Sequence, residues 1–337
     1  MNGAVQSGAK VAVLAGNSFS GQDFIDLLLE DPGREIVAIG RSPERSDTFA
    51  SYKKRDDAGR VRYHQLDINS EFEKLCAVLD SEKPDWVVNF AAQGEVSQSW
   101  SRPGDWFRTN SAAVAELVKY LSGCDYLKRY LHVSTPEVYG TCTGTVTEDA
   151  PFNPSTPYAA SKAAGDMAVQ LYQREMGLPA MLVRATNVYG ARQQLYRIIP
   201  RTIIYPKLDR KIQLQGGGKA VKSYIHIRDI SRGELAILER GSVGACYHLS
   251  PDGSISIRGL IEAIYNISGC SFANCIEDVA ERTGQDAAYI IDSTKARSEL
   301  GWQPGIKLED GLAEVFEWVE EYWDELKDQS FVYRHKP

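Results

Sequence analysis

Through the first 190 residues, short runs of apolar, β-favouring residues alternate with stretches whose apolar positions recur at helical spacing. The runs are "KVAVL" (10–14), "EIVAI" (35–39), "VRYHQL" (61–66), "DWVVNF" (85–90), "KRYLHVS" (128–134) and "PAMLVR" (179–184). Helices are expected between them, in "GQDFIDLLLEDPG", closed by Pro32 and Gly33, and in "SEFEKLCAVLDSEKP", closed by Pro84. Strands that are apolar nearly throughout are buried on both faces, and strands separated by helices run parallel. The pattern predicts an α/β fold with a doubly wound parallel sheet. Its ligand belongs beyond the C-terminal ends of the strands.

After about Tyr189 the alternation stops. "GARQQLYRIIPRTI", the turn "QGGGKA" and helical stretches at 258–267 and 309–327 predict a smaller C-terminal α/β lobe. "SYIHIRDI" and "ACYHLS" are expected to return to the sheet as strands. The division is then a nucleotide-binding domain at 1–190, with strands returning at about 223–250, and a substrate lobe built from 191–222 and 251–337.

Charge and cysteine content narrow the partners. A formal net charge of −7 leaves no basic excess to meet the phosphates of a nucleic acid, so none is expected as a partner. The six cysteines are scattered, without CxxC or His/Cys ligand spacing, so no metal site is expected and free thiols in a reducing compartment are. "MNGAVQSGAK" has no apolar core of a leader and no run is long enough to span a bilayer. A cytoplasmic protein without membrane contact is the expectation.

The first strand runs into "LAGNSFSGQDF". Glycine-rich turns at this point let backbone N–H groups approach a pyrophosphate at a helix N-terminus. Gly16 and Gly21 remain, while Ala15 and Ser18 stand where a full GxxGxxG has glycine. A plain tight turn would explain the loop taken alone. Its place between first strand and first helix favours a dinucleotide, bound by Gly16, Asn17, Ser18, Phe19 and Gly21. The second strand ends in "VAIGRSPERS", with Gly40 where NAD-preferring proteins carry the carboxylate that binds the ribose 2′-hydroxyl. Arg41, Ser42 and Arg45 could instead hold a 2′-phosphate, since arginine pairs with phosphate bidentately. NADP is therefore the expected cofactor, with NAD left open. Asp67 and Ile68 in "HQLDIN" could flank the adenine, and Ala91, Ala92 and Gln93 in "NFAAQ" allow close approach.

"PYAASKAAGDMAVQLYQREMG" predicts a helix from Pro157, closed by Gly177. Tyr158 and Lys162 are four apart and share one face. An ammonium beside a phenol stabilises the phenolate, so Tyr158 can take a proton from a sugar hydroxyl while hydride leaves the same carbon. Upstream, "YLHVSTPEVYGT" carries Ser134, Thr135 and Glu137 at the end of the fifth strand, with Pro136 between the last two.

Together "LAGNSFSG", "LDIN", "NFAAQ", "STPEVYG", "YAASK", "RATNVYG", "GGGKAVKSYIHIRDI", "RTGQD" and "STKARSELGW" resemble the extended short-chain dehydrogenase/reductases of the sugar-nucleotide epimerase and dehydratase group. The resemblance implies a Rossmann fold, an NDP-hexose substrate and oxidation at the sugar's C4. It gives Thr135, with Ser134, the binding of the sugar oxygen, Tyr158 the role of base, and Lys162 the nicotinamide ribose. Asn187, Arg197, Lys222 and Arg282 would then bind substrate, Lys222 standing where the family usually has arginine. It further implies a homodimer, paired through the helices containing Ala112–Leu121 and Ala159–Tyr172.

Dehydratases acting on deoxythymidine diphosphate glucose carry Thr-Asp-Glu where this chain has Thr135, Pro136 and Glu137. Their aspartate protonates the departing C6 hydroxyl, and their glutamate removes the C5 proton. Dehydratases acting on GDP-mannose have Thr-Ser-Glu, so a lone glutamate has precedent. The expected reaction is 4,6-dehydration with both proton transfers on Glu137. C4 epimerisation or oxidation without dehydration is the alternative, and a non-catalytic dinucleotide sensor the remote one.

Overall fold

The computed structural model describes residues 8–141, 144–280 and 290–336. Seven strands form the main sheet: β1 (Lys10–Leu14), β2 (Glu35–Gly40), β3 (Val61–Gln65), β4 (Trp86–Asn89), β5 (Arg129–Val133), β6 (Ala180–Ala185) and β7 (Cys246–Leu249). They lie in the order β7-β6-β5-β4-β1-β2-β3, every neighbouring pair parallel. The order reverses between β1 and β4, which opens a crevice at the strands' C-terminal ends.

The longer helices are α1 (Phe19–Leu28), α2 (Phe72–Glu82), α3 (Ala113–Leu121), α4 (Pro157–Met176), α5 (Ile198–Lys207), α6 (Ile227–Arg240), α7 (Ile257–Ser268) and α8 (Leu308–Glu321). Alternate strand residues face opposite layers. Val11, Val13, Ile36, Ala38 and Leu131 pack with Phe24, Ile25 and Leu28 of α1 and with Ile230 and Ile237 of α6. Ala12, Leu14, Val37, Ile39 and Tyr130 pack with Leu75 and Leu79 of α2, Val114 and Leu117 of α3, and Val169 of α4. Both faces being covered is why these strands read as continuous apolar runs rather than alternating ones.

The second lobe has its own core, in which α5, α7 and α8 contribute Ile199, Ile203, Leu260, Ile264, Val315 and Trp318. They pack around Ile212–Gln215, which pairs in parallel with Ile276–Val279. Trp318 donates its indole N–H to the Thr48 carbonyl (2.9 Å), tying this lobe to the loop after β2.

Three segments differ from the sequence pattern. Only Tyr224–His226 of "SYIHIRDI" is extended, and it pairs with Asn187–Tyr189 outside the main sheet. The His226 ring accepts the Arg228 N–H (3.2 Å) and so starts α6 where a strand was expected. The first helix ends at Leu28, short of Pro32, and the 309–327 helix breaks at Tyr322. The helix carrying Tyr158 follows expectation closely. Thr156 caps it by accepting the Ala159 N–H (3.1 Å), Pro157 opens it, and Gly177 at φ 71° ends it.

Candidate active site

The crevice at the switch between β1 and β4 is lined by Leu14, Ala15, Gly40, Arg41, Asp67, Ile68, Ala91, Ala92 and Gln93, among others. Ser18 caps α1, its hydroxyl accepting the Gly21 N–H (3.0 Å). A Cβ on Gly21 would stand 2.5 Å from the Ala15 carbonyl oxygen, so the missing side chain is what lets α1 close onto the loop. Asn17 is committed to the fold. Its amide donates to the Pro43 carbonyl (2.6 Å) and accepts from Gln22 (3.2 Å) and the Arg45 N–H (3.0 Å), fastening this loop to the one after β2. Phe19 is buried and also borders a second, polar cavity between the lobes.

Gly40 has a steric reason to be glycine. A Cβ there would lie 2.6 Å from the Tyr63 hydroxyl, which reaches over from β3 to the carbonyls of Gly40 and Ser42. The carboxylate that would bind a ribose 2′-hydroxyl cannot be accommodated without moving Tyr63. Arg41 lines the crevice, whereas Ser42 and Arg45 do not. With its N–H held by Asn17, Arg45 turns its guanidinium onto the Phe49 ring, 5.0 Å from the centroid. These features (the close-packed loop, the capped helix N-terminus, the small residues after β4) fit a dinucleotide.

The catalytic candidates converge at the end of β5. Thr135 is buried, and its hydroxyl accepts the Glu137 N–H (3.3 Å) and is hydrogen-bonded to the Tyr158 phenol. Pro136–Tyr139 form a single 3-10 turn capped by Thr135, so Glu137 lies in its first turn. Burial pushes the Tyr158 phenol well above the ordinary tyrosine value, and the Glu137 charge adds to this; the Thr135 hydrogen bond and the Arg197 charge pull it back. Lys162, one turn along α4, is 2% exposed and donates to the Val133 carbonyl (2.8 Å). Burial pushes its ammonium down to about 8, while the Asp166 carboxylate works against that shift.

On the substrate side, Arg197 caps α5, lies 3.7 Å from Glu95 and acts electrostatically on Tyr158. Asn187 opens the short strand paired with Tyr224–His226, its amide 3.3 Å from the Ser223 carbonyl. Lys222 sits on the ribbon of Val221–Lys222 and Ile255–Ser256. Arg282 lies outside the described residues.

Sequence reading passed over the charges beneath this site. Asp166 is fully buried and accepts from Ser134 Oγ (2.7 Å) and from Arg184 Nη2 (2.8 Å) and Nε (3.3 Å). Arg184 also donates to the Tyr139 hydroxyl, which meets His248 Nε2 at 2.7 Å. Two signals could have found the pair: an aspartate four residues after Lys162 on the same helical face, and an arginine inside an apolar strand.

The fold, the dinucleotide loop and the Tyr158–Lys162 helix define an extended short-chain dehydrogenase/reductase. Within that class the chain belongs to the family described as GDP-mannose 4,6-dehydratase, whose model matches residues 14–315. It is 32% identical over 275 residues to the dTDP-glucose 4,6-dehydratase of Xanthomonas campestris pv. campestris, covering 76% of each chain. It is 31% identical over 305 residues to the low-salt glycan biosynthesis protein Agl12 of Haloferax volcanii, covering 90% of this chain and 96% of that one. The solved structure of DesIV, the dTDP-glucose 4,6-dehydratase of Streptomyces venezuelae with NAD bound, superimposes with a TM-score of 0.86 at 29% identity, covering 94% and 98% of the two chains.

The Asp166–Arg184 pair carries an expected outcome. Asp166→Ala leaves a buried guanidinium without its counter-charge and is expected to lower unfolding stability in urea by about 3–5 kcal/mol. Replacing both residues by apolar ones of similar size is expected to cost less than the single change; equal or greater loss would show that the pair is not the source of the effect.

Proposed function

We propose that this protein is an NDP-hexose 4,6-dehydratase that works with a nicotinamide dinucleotide, NADP rather than NAD. The observation that carries the reaction is the placement of Glu137. Its carboxylate acts electrostatically on the Tyr158 phenol, in the same turn whose Thr135 hydroxyl bonds that phenol. The NADP reading rests on Gly40, whose Cβ space Tyr63 fills, and on Arg41 at the rim of the crevice.

A bound dinucleotide supplies an acceptor for hydride from the sugar and a donor for its return. Every proton is handled by this chain. Thr135 holds the C4 oxygen, and Tyr158 takes the proton from the C4 hydroxyl, helped by the Lys162 charge one helical turn away. The resulting ketone acidifies the C5 hydrogen, which Glu137 removes. Protonated Glu137 then gives that proton to the departing C6 hydroxyl, so one water leaves. Pro136 has no proton to give at this step. As C6 is reduced, C5 takes up the proton that Tyr158 removed from the C4 hydroxyl, passed on through Glu137, and both residues end as they began.

Glu137→Gln is expected to abolish loss of water, by at least about 100-fold given what proton transfer by a positioned side chain contributes. Mass spectrometry of the nucleotide sugar reads this directly. Pro136 favours one second reading, C4 oxidation or epimerisation without dehydration. If the wild-type protein returns substrate of unchanged mass with C4 inverted, the dehydratase reading fails and that one replaces it.

Lys162 must be charged to act on Tyr158. A base held down to about 8 is protonated below that pH and loses its proton as pH rises through it. kcat/KM is therefore expected to fall above about pH 8, and a profile flat to pH 10 would contradict the role given to Lys162.

Met167 and Leu171 stand exposed one turn apart on α4. They support a homodimer through α3 and α4, and a single-chain mass in sedimentation equilibrium would remove it. Among the described residues no helix is long and apolar enough to cross a membrane. The described cysteines are free thiols, which supports assignment to the cytoplasm.

A further inference from the structure

The last described residues leave the second lobe and cross to the nucleotide domain. Phe331 is anchored in the lobe core, edge-on to Tyr205 at 5.8 Å. Tyr333 meets Tyr196 edge-on at 5.3 Å. His335 stacks on Trp106 at 4.9 Å with an interplanar angle of 12°, and its Nε2 lies 2.9 Å from Asp105 Oδ2. The Lys336 carbonyl then accepts from both Arg41 Nη1 (2.9 Å) and Gln93 Nε2 (2.7 Å).

Arg41 follows β2 and Gln93 follows β4, so one carbonyl bridges two rims of the dinucleotide crevice. Residues 331–336 are not among those lining the crevice, so the segment crosses its edge and does not fill it. The Lys336 ammonium is 3.5 Å from the Ser42 hydroxyl, which adds a positive charge beside Arg41.

We propose that residues 331–336 are a strap that closes the adenosine end of the dinucleotide site. It retains the cofactor between turnovers and adds Lys336 to the cations facing a ribose 2′-phosphate. The second part rests on the NADP reading above, and the first does not. The segment touches both lobes and both rims, and as a strap it would have to open for the ligand to leave. Strap and cofactor therefore stabilise each other reciprocally, and the effect falls mainly on the dissociation rate.

The test uses the full chain loaded with reduced dinucleotide, whose fluorescence is followed while excess oxidised dinucleotide displaces it. His335→Ala removes the stack on Trp106 and the Asp105 contact, and Tyr333→Ala loosens the strap from its other end. Each is expected to speed release on the order of tenfold, and either suffices should the other fail to fold. Release as slow as in the unaltered protein overturns the proposal. So does slower release, which would mean that the segment obstructs the site. Lys336→Ala is expected to weaken NADP relative to NAD. If the protein proves to take NAD alone, the NADP reading falls with the Lys336 role, and release of NADH still decides the strap.

Discussion

Everything at the chemical end of this molecule rests on one buried ion pair, Asp166 with Arg184. Two full charges in the interior are costly to desolvate, and they persist only where hydrogen bonds meet most of their polar atoms. Here the pair joins the middle of α4 to the end of β6 and takes in Ser134 from the turn after β5. Tyr158 and Lys162 precede Asp166 by two turns and one turn of the same helix. Thr135 and Glu137 follow Ser134 directly. The pair therefore sets the distance between the helix that holds the phenol and the turn that holds the carboxylate.

The turn itself explains a residue that looks out of place. Pro136 opens a 3-10 turn, where a fixed φ is favourable and a backbone N–H has no partner to lose. Thr135 satisfies the next N–H, that of Glu137, with the same hydroxyl that bonds Tyr158. Proline thus stiffens the link between the Tyr158 phenol and the Glu137 carboxylate and offers no acidic side chain of its own.

Much of this was legible in the sequence for a physical reason. Strands buried on both faces, as Val11 to Leu14 are, leave an apolar run that only a covered parallel sheet explains. Thr156, Pro157 and Gly177 mark the ends of α4 by the backbone groups they cap. Where a residue's role depends on a partner distant in the chain, sequence is mute. Gly40 reads as an absent carboxylate, but its cause is Tyr63, 23 residues on. Arg45 reads as a phosphate ligand, but Asn17 turns it onto Phe49. "SYIHIRDI" has the alternation of a strand, and one capping bond from the His226 ring converts its second half to helix.

The charge arrangement finally bears on how a single carboxylate could serve two steps. A glutamate that first removes a proton and then returns it must pass between charged and neutral forms, and a cation committed to it would hold it charged. Arg197, whose field reaches Tyr158, has a counter-ion of its own in Glu95 across the gap between the lobes. The Lys162 ammonium is turned to the Val133 carbonyl, and Arg184 is bound to Asp166 and Tyr139. Each of these three cations is thus matched by a group on the protein, and the two-step role proposed for Glu137 draws no further charge from them.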